Sequence, residues 1–213
     1  MFSKSDLTSL ARIYQTDKWG GHFYTPIYEQ WFRSLRYKPV RLLEIGVGGY
    51  AKLQMGGDSL RMWKSYFPEG TITGIDIYDK SELNESRINT YKGDQSDADF
   101  LENVSEKEGP FDIIVDDGSH LQSHILESFK TLFPLLKSGG IYVIEDTQTS
   151  YWPKYEGSTR EMDTIPSAMN YFIHRIHEVN KTDWLKQDLP KEYPADDIAS
   201  LAFYHNLIFI VKG

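Results

Sequence analysis

Ile113-Ile114-Val115-Asp116-Asp117-Gly118-Ser119-His120 and, further along, Ile141-Tyr142-Val143-Ile144-Glu145-Asp146 are short apolar runs that each reach a pair of adjacent carboxylates. Short, continuous apolar runs are the signature of strands covered on both faces. Two such strands in a parallel sheet deliver their acids to one edge, the carboxyl edge, where open α/β sheets bind their ligands. A histidine three residues beyond Asp117 adds a candidate base to an oxygen-rich cluster of the kind that hard divalent cations take.

Working outward, further apolar runs at 41–45 and 71–77 precede those at 111–115 and 141–144. Helical patterns at 59–67, 97–104 and 123–136 alternate with the strands, and Ser138-Gly139-Gly140 closes the last helix. This alternation predicts an α/β fold with a doubly wound, Rossmann-like, mostly parallel sheet. At the front, a short helical segment leads to a helix over 26–37, with Pro26 in its first turn and Ile27, Tyr28, Trp31, Phe32 and Leu35 at helical spacing. At the far end, 200–204 and 207–211 flank His205-Asn206 as a terminal antiparallel hairpin. The polar, aromatic stretch 147–166 is expected to be a mobile loop, and a loop that long is usually a lid or binding loop. The expected organisation is one domain: an N-terminal helical cap (1–38), a cofactor-binding core (39–146), and an acceptor loop, helix and hairpin (147–213).

Bulk composition narrows the function classes. At 213 residues with 40% hydrophobic content the chain suits a single core, and no apolar run approaches the roughly 20 residues that span a bilayer. The absence of cysteine excludes disulfides, thiolate metal sites and a cysteine nucleophile. With no apolar leader at the N-terminus, this fits a reducing cytoplasm. A net charge of -8 without a basic block argues against nucleic acid, whose binding is largely electrostatic.

Leu42-Leu43-Glu44-Ile45-Gly46-Val47-Gly48-Gly49-Tyr50 sets a glycine-rich bend after the first strand, where a nucleoside cofactor can approach the backbone. Gly46, Gly48 and Ala51 loosely match a dinucleotide pattern, and a purely structural turn is a further alternative. The reading favoured is S-adenosylmethionine. Glu44 suits an amino group and would repel a pyrophosphate, and the bend runs on through 52–58, so no helix N-terminus waits for a phosphate. Asp76 at the end of the second strand suits ribose hydroxyls with either cofactor. Asp94 and Gln95, after the third strand, offer a carboxylate and an amide to an adenine edge, or form a solvated turn.

Asp117, Glu145 and Asp146 offer only oxygen ligands, which suits Mg²⁺ or Mn²⁺. A lone Asp117 would be read as a cap for the next helix, but several carboxylates packed together without a cation repel one another. His120 is the favoured general base because it lies nearer the strand end. His124, one turn on, is a rival, and the pair could instead ligate zinc. Moving a proton from an alcohol of pKa about 16 to an imidazole of about 6.5 is uphill by roughly 13 kcal/mol, so the base needs a metal to acidify the hydroxyl. Asp116 is left between touching the cofactor, supporting Asp117 and joining the metal shell.

Several longer motifs then carry a resemblance: Tyr14-Gln15-Thr16-Asp17-Lys18-Trp19, His22-Phe23-Tyr24-Thr25-Pro26, the glycine bend with Ser59-Leu60-Arg61-Met62-Trp63, Gly74-Ile75-Asp76-Ile77-Tyr78-Asp79-Lys80, Asp116 to His120, and Ile144-Glu145-Asp146-Thr147-Gln148-Thr149-Ser150-Tyr151-Trp152. Along much of its length the chain resembles the metal-dependent class I methyltransferases that O-methylate deoxysugars on macrolides and related glycosides, the mycinamicin and demethylmacrocin sugar O-methyltransferases among them. The resemblance implies Asp117, Glu145 and Asp146 as metal ligands, His120 as base, Asp76 on the ribose, and Glu44, Gly46, Ser59 and Gln95 around the cofactor. It also implies a rhamnose-like sugar of a glycoside or glycan as acceptor. Within 147–166, Tyr151, Trp152 and Tyr155 are expected to form the acceptor wall, since aromatic faces suit the apolar faces of sugars; ordinary core packing is the alternative. A catechol or phenolic acceptor and a non-catalytic cofactor-binding domain are the alternatives. Macrolide enzymes of this type carry an additional N-terminal region for assembly, so homo-oligomerisation, or membership in a larger carbohydrate-modifying protein, stays open.

Overall fold

The computed structural model describes residues 5–162, 164–183 and 197–213. Positions 163 and 184–196, inside the expected acceptor loop and C-terminal part, lie outside the described residues.

Among the described residues, seven strands form one sheet: β1 (Arg41–Ile45), β2 (Thr71–Asp76), β3 (Ile88–Lys92), β4 (Ile113–Asp116), β5 (Ile141–Glu145), β6 (Ile198–Tyr204) and β7 (Leu207–Lys212). Their order is β3-β2-β1-β4-β5-β7-β6, with β1 to β5 parallel and β7 antiparallel to both β5 and β6. This is the doubly wound, mostly parallel sheet with a terminal antiparallel hairpin that the alternation of apolar runs and helices predicts. The helices are α1 (Leu7–Tyr14), α2 (Thr25–Phe32), α3 (Asp58–Tyr66), α4 (Ala98–Glu108), α5 (Gln122–Leu132) and α6 (Ala168–His174). Among the described residues no helix is long and apolar enough to cross a membrane.

Alternate residues along the strands enter opposite cores, as strand geometry requires. Leu42, Ile72, Ile113, Val115, Ile141, Val143 and Phe209 join α1, α2 and α3 in one cluster. Leu43, Ile45, Ile75, Ile114, Tyr142, Ile144 and Ile208 join α4, α5 and α6 in the other. Both faces are thus covered, which is why β4 and β5 are buried at every position.

Helix ends shift from their expected places for local reasons. α5 stops at Leu132 and not at 136, because Pro134 has no N–H to continue the ladder. The helix expected over 26–37 closes after Phe32 into a 3-10 turn, Arg33–Leu35.

Candidate active site

Strand order reverses between β1 and β4, the topological switch point at which such sheets bind ligands. A cleft of about 700 Å³ opens there, lined by the glycine turn, Asp76, Ile77, Tyr78, Asp94, Gln95, residues 117–120, Asp146 and, from the N-terminal segment, residues 15–17.

The glycine turn is pinned from three sides. Gly46 has φ +89°, and a Cβ there would fall 2.1 Å from the carbonyl oxygen of Asp117, so only glycine lets the turn rest on the acidic loop. Val47 N–H donates to Asp76 Oδ2 and Tyr78 N–H to Asp76 Oδ1, both at 2.9 Å. Lys80, buried, donates to the carbonyls of Tyr50, Lys52 and Met55 at 2.6, 3.0 and 2.9 Å, drawing the loop back to the sheet. Gly48 and Ser59 also line the cleft, and the bend runs to Gly57 before α3 begins, as read from the sequence.

Three residues expected at the cleft lie behind its wall. Glu44 is 0% exposed, accepts from Ser59 Oγ at 2.8 Å and faces Lys18, so its carboxylate is drawn inward. Asp116 is buried, bonded by Gln95 Nε2 at 3.1 Å, and burial pushes its carboxyl up to about 7. Glu145 is 2% exposed, and its Oε1 accepts from both Lys18 Nζ and Tyr28 OH at 2.6 Å.

Asp94 stands on the wall, its Oδ1 accepting from Ser96 N–H, which holds its carboxyl below the ordinary range. Gln95 reaches the wall but turns its amide inward: Nε2 donates to Asp116 and to Ser128 Oγ at 3.0 Å, and Oε1 accepts from Ser119 N–H at 2.6 Å. It positions the 118–120 loop where an adenine contact was expected of its amide.

Asp117, His120 and Asp146 converge on the cleft, each offering one ligand atom, all within 4.8 Å of one another. His120 Nε2 lies 3.7 Å from Asp146 Oδ2 and 4.0 Å from Asp117 Oδ1. Asp117 does not cap α5; Leu121 precedes that helix, and Ser123 N–H donates instead to Glu156 Oε2 at 2.8 Å. His124 also lines the cleft, but its Nδ1 lies 3.1 Å from Ser119 Oγ and it is not among the residues whose ligand atoms converge.

The N-terminal segment supplies residues whose place in the site the strand-end reading missed. Tyr24 OH donates to Asp146 Oδ1 at 2.6 Å, and burial together with that carboxylate holds the phenol above its ordinary pKa, so it remains a donor. Lys18 Nζ lies 2.8 Å from Asp117 Oδ2, 2.6 Å from Glu145 Oε1 and 3.2 Å from Glu44 Oε1. Burial opposes its charge, but the carboxylates of Asp117, Glu145 and Glu44 prevail and hold the ammonium's pKa well above the ordinary value. The available signal was charge: acids converging from several strand ends call for a cation, and a lysine answers as well as a metal.

The expected mobile loop is ordered where it leaves β5. Thr147–Tyr151 and Pro153–Tyr155 are 3-10 turns, and Thr147, Thr149 and Ser150 are buried. Gln122 holds them: its Nε2 donates to Thr149 Oγ1 at 3.2 Å, and its Oε1 accepts from Ser150 Oγ and Ala168 N–H. Tyr151 and Trp152 lie outside the cleft lining, Trp152 half exposed. Tyr155 is the aromatic that meets His120, edge to face at 6.3 Å.

A family whose sequence model is described as "Methyltransferase domain" matches residues 11–147, which carry the glycine turn, Asp76, the acids and His120. The chain belongs to this methyltransferase family. Relatives of this methyltransferase chain include the mycinamicin VI 2''-O-methyltransferase of Micromonospora griseorubida, 44% identical over 99% of the chain and 53% of that protein. The demethylmacrocin O-methyltransferase of Streptomyces fradiae is 42% identical, over 99% and 54%. The MycE methyltransferase of the mycinamycin pathway, solved in complex with Mg, SAH and mycinamycin VI, superposes with a TM-score of 0.89 at 44% identity, over 99% of the chain and 55% of that structure. The chain spans about half the length of the curated relatives it matches.

Proposed function

We propose that this methyltransferase carries a methyl group from S-adenosylmethionine to a hydroxyl of a deoxysugar, rhamnose-like, in a glycoside or glycan, with Mg²⁺ or Mn²⁺ and in the cytoplasm. The observation that carries the proposal is the convergence of Asp117, His120 and Asp146 on the cleft that the glycine turn opens. The sugar comes from the relatives, several of which are named for O-methylation of rhamnosyl or olivosyl glycosides.

The donor set fits a hard divalent cation: three carboxylates that offer oxygen alone, and no sulfur. Asp117, Glu145 and Asp146 would hold it, with His120 beside them. The cleft fits a nucleoside: a glycine turn without Cβ atoms, Asp76 for ribose hydroxyls, and Asp94 near the base, with Glu44, Gln95 and Asp116 supporting from behind. When bound, the cofactor supplies the sulfonium methyl and the cation lowers the pKa of the acceptor hydroxyl. His120 Nε2 would take the hydroxyl proton, freeing the acceptor oxygen for the sulfonium methyl, with the neutral thioether S-adenosylhomocysteine as leaving group. Tyr24 fixes Asp146 through Oδ1, leaving Oδ2 toward His120. Tyr155, with Tyr151 and Trp152 further out, would face the sugar. Much of the acceleration would be positioning of the hydroxyl in line with the breaking bond.

The test is methyl transfer from labelled S-adenosylmethionine to rhamnosides and catechols, with Mg²⁺ and then with excess EDTA. Labelled rhamnoside that disappears with EDTA supports the assignment. Labelled catechols alone would replace the sugar acceptor, and cofactor binding without labelling would refute the transferase reading.

A further inference from the structure

Lys80 is 1% exposed, yet the partners of its ammonium are neutral. A lysine offers three N–H donors and no acceptor, and here three carbonyl oxygens meet them, those of Tyr50, Lys52 and Met55. All three belong to one loop, and that loop closes on itself around the charge. At its base Gly57 N–H donates to the Val47 carbonyl at 2.8 Å; within it Lys52 N–H donates to the Gly49 carbonyl and Met55 N–H to the Lys52 carbonyl, both at 3.2 Å. No backbone N–H of the described residues donates to the carbonyls of Tyr50 and Met55, so the ammonium is what satisfies them. Converging backbone carbonyls of this kind hold bare monovalent ions elsewhere in proteins. Lys80 is itself held in place, since Thr90 Oγ1 and Leu83 N–H donate to its own carbonyl at 2.8 and 2.9 Å.

We propose that the Lys80 ammonium is a built-in monovalent cation that holds the 49–56 loop in its cofactor-binding form, in a carbonyl cage that free ammonium fills once the lysine side chain is removed. The inference rests on the cofactor reading of the cleft, whose lining includes Gly49, Tyr50, Met55 and Gly56 of this loop. Asp76 and Lys80 come from one short segment at the end of β2: Asp76 fixes the root of the loop through Val47 N–H, and Lys80 fixes its tip. Three neutral oxygens suit a monovalent cation, because a divalent ion gives up its water reluctantly without carboxylates.

A lysine acting only as a strut of the fold would give a different result. Its stem would carry the effect, so an apolar side chain of similar length would serve as well, and no added ion would repair its loss. A cation in a cage gives the reverse: the apolar stem alone fails, and an emptied cage recovers when a small cation is supplied.

The test is calorimetric binding of S-adenosylhomocysteine to the 213-residue chain in ammonium chloride and in choline chloride at equal ionic strength, with circular dichroism checking the fold. The unsubstituted chain is expected to bind equally in both salts. Lys80→Ala is expected to bind roughly tenfold more weakly in choline chloride and to return to within about threefold in ammonium chloride. Lys80→Met, whose stem occupies the space, should be roughly tenfold weaker in both salts. Folded Lys80→Ala that binds in choline chloride as the unsubstituted chain does, or that ammonium does not restore, would overturn the inference. Equal recovery of Lys80→Met by ammonium would overturn it too, since that marks a general salt effect. Lys80→Ala that folds in ammonium chloride and not in choline chloride would support it. If Lys80→Ala folds in neither salt, Lys80→Met decides: unchanged affinity overturns the inference, and a deficit in both salts supports it. Both variants unfolded in both salts would overturn it, because a cation that serves one loop leaves the sheet able to fold. No S-adenosylhomocysteine bound by the unsubstituted chain would remove the cofactor reading, and the inference with it.

Discussion

His120 and Asp146 both hold left-handed backbone conformations, with φ of 60° and 53°. Such conformations are costly for residues other than glycine, and they persist where the surroundings over-determine them. Here Gln122 Nε2 donates to the carbonyl of His120, and Thr149 Oγ1 donates to that of Asp146. Both side chains are thereby set on one wall of the cleft. Replacing His120 by alanine is expected to lower methyl transfer by about 10²- to 10⁴-fold, the usual span for a positioned acid or base. Binding of S-adenosylhomocysteine should stay within about twofold, because the assigned part of His120 is proton transfer. Turnover of the alanine variant near the unsubstituted rate with metal present would remove the base assignment. These residues were legible because each follows a strand at short range. Lys18, Tyr24 and Tyr28 meet the same acids from more than ninety positions away, and nothing local to them announces it.

At the scale of elements, β1, β2, β4 and β5 were legible to within two residues, since a buried parallel strand is a short apolar run, whereas the edge strand β3, INTYK with only Ile88 buried, carries no such run and its bounds were not read. The segment after β5 was not legible either. A polar stretch reads as exposed loop, yet Thr147, Thr149 and Ser150 are buried, because Gln122 on α5 supplies partners for Thr149 and Ser150 and the Asn206 carbonyl accepts from Thr147 N–H. Glu156 completes the attachment by accepting from Ser123 N–H in the first turn of α5. That bond, ahead of all other influences, holds the Glu156 carboxyl below its ordinary value. A carboxyl depressed in the folded state stabilises above its unfolded pKa, and the contribution is lost as pH falls through the folded value. Glu156→Gln should therefore cost about 0.5 kcal/mol near pH 7, the scale of an exposed charge at a helix N-terminus. The difference should shrink below about pH 4 as the parent protonates. Urea unfolding at both pH values measures it, and an equal deficit at both would show that the charge contributes nothing.

For the whole molecule, the sequence suggested one domain with an N-terminal helical cap over 1–38, and the packing of its described residues, 5–38, ties them into the same core as α3 and β7. Tyr28 meets Trp63 and Phe209 at 5.1 and 5.5 Å, Trp31 stacks on Phe209 at 4.9 Å, and Phe32 lies 5.9 Å from Trp63 and 6.0 Å from Phe67. Amphipathic spacing in 26–37 showed that a helix forms there, but not that its partners come from α3 and from the last strand. Removing this segment would uncover those rings and leave Glu44 and Glu145 buried without Lys18. Truncating one buried aromatic costs about 3–5 kcal/mol, and a domain's whole stability is about 5–15 kcal/mol. Losing Tyr28 and Phe32 together, with a buried counter-charge, exceeds what the remainder can sustain. A chain beginning at residue 39 is therefore expected to show no cooperative thermal transition and to bind a hydrophobic dye. A cooperative transition within a few degrees of the full chain would show instead that the first 38 residues are a detachable cap.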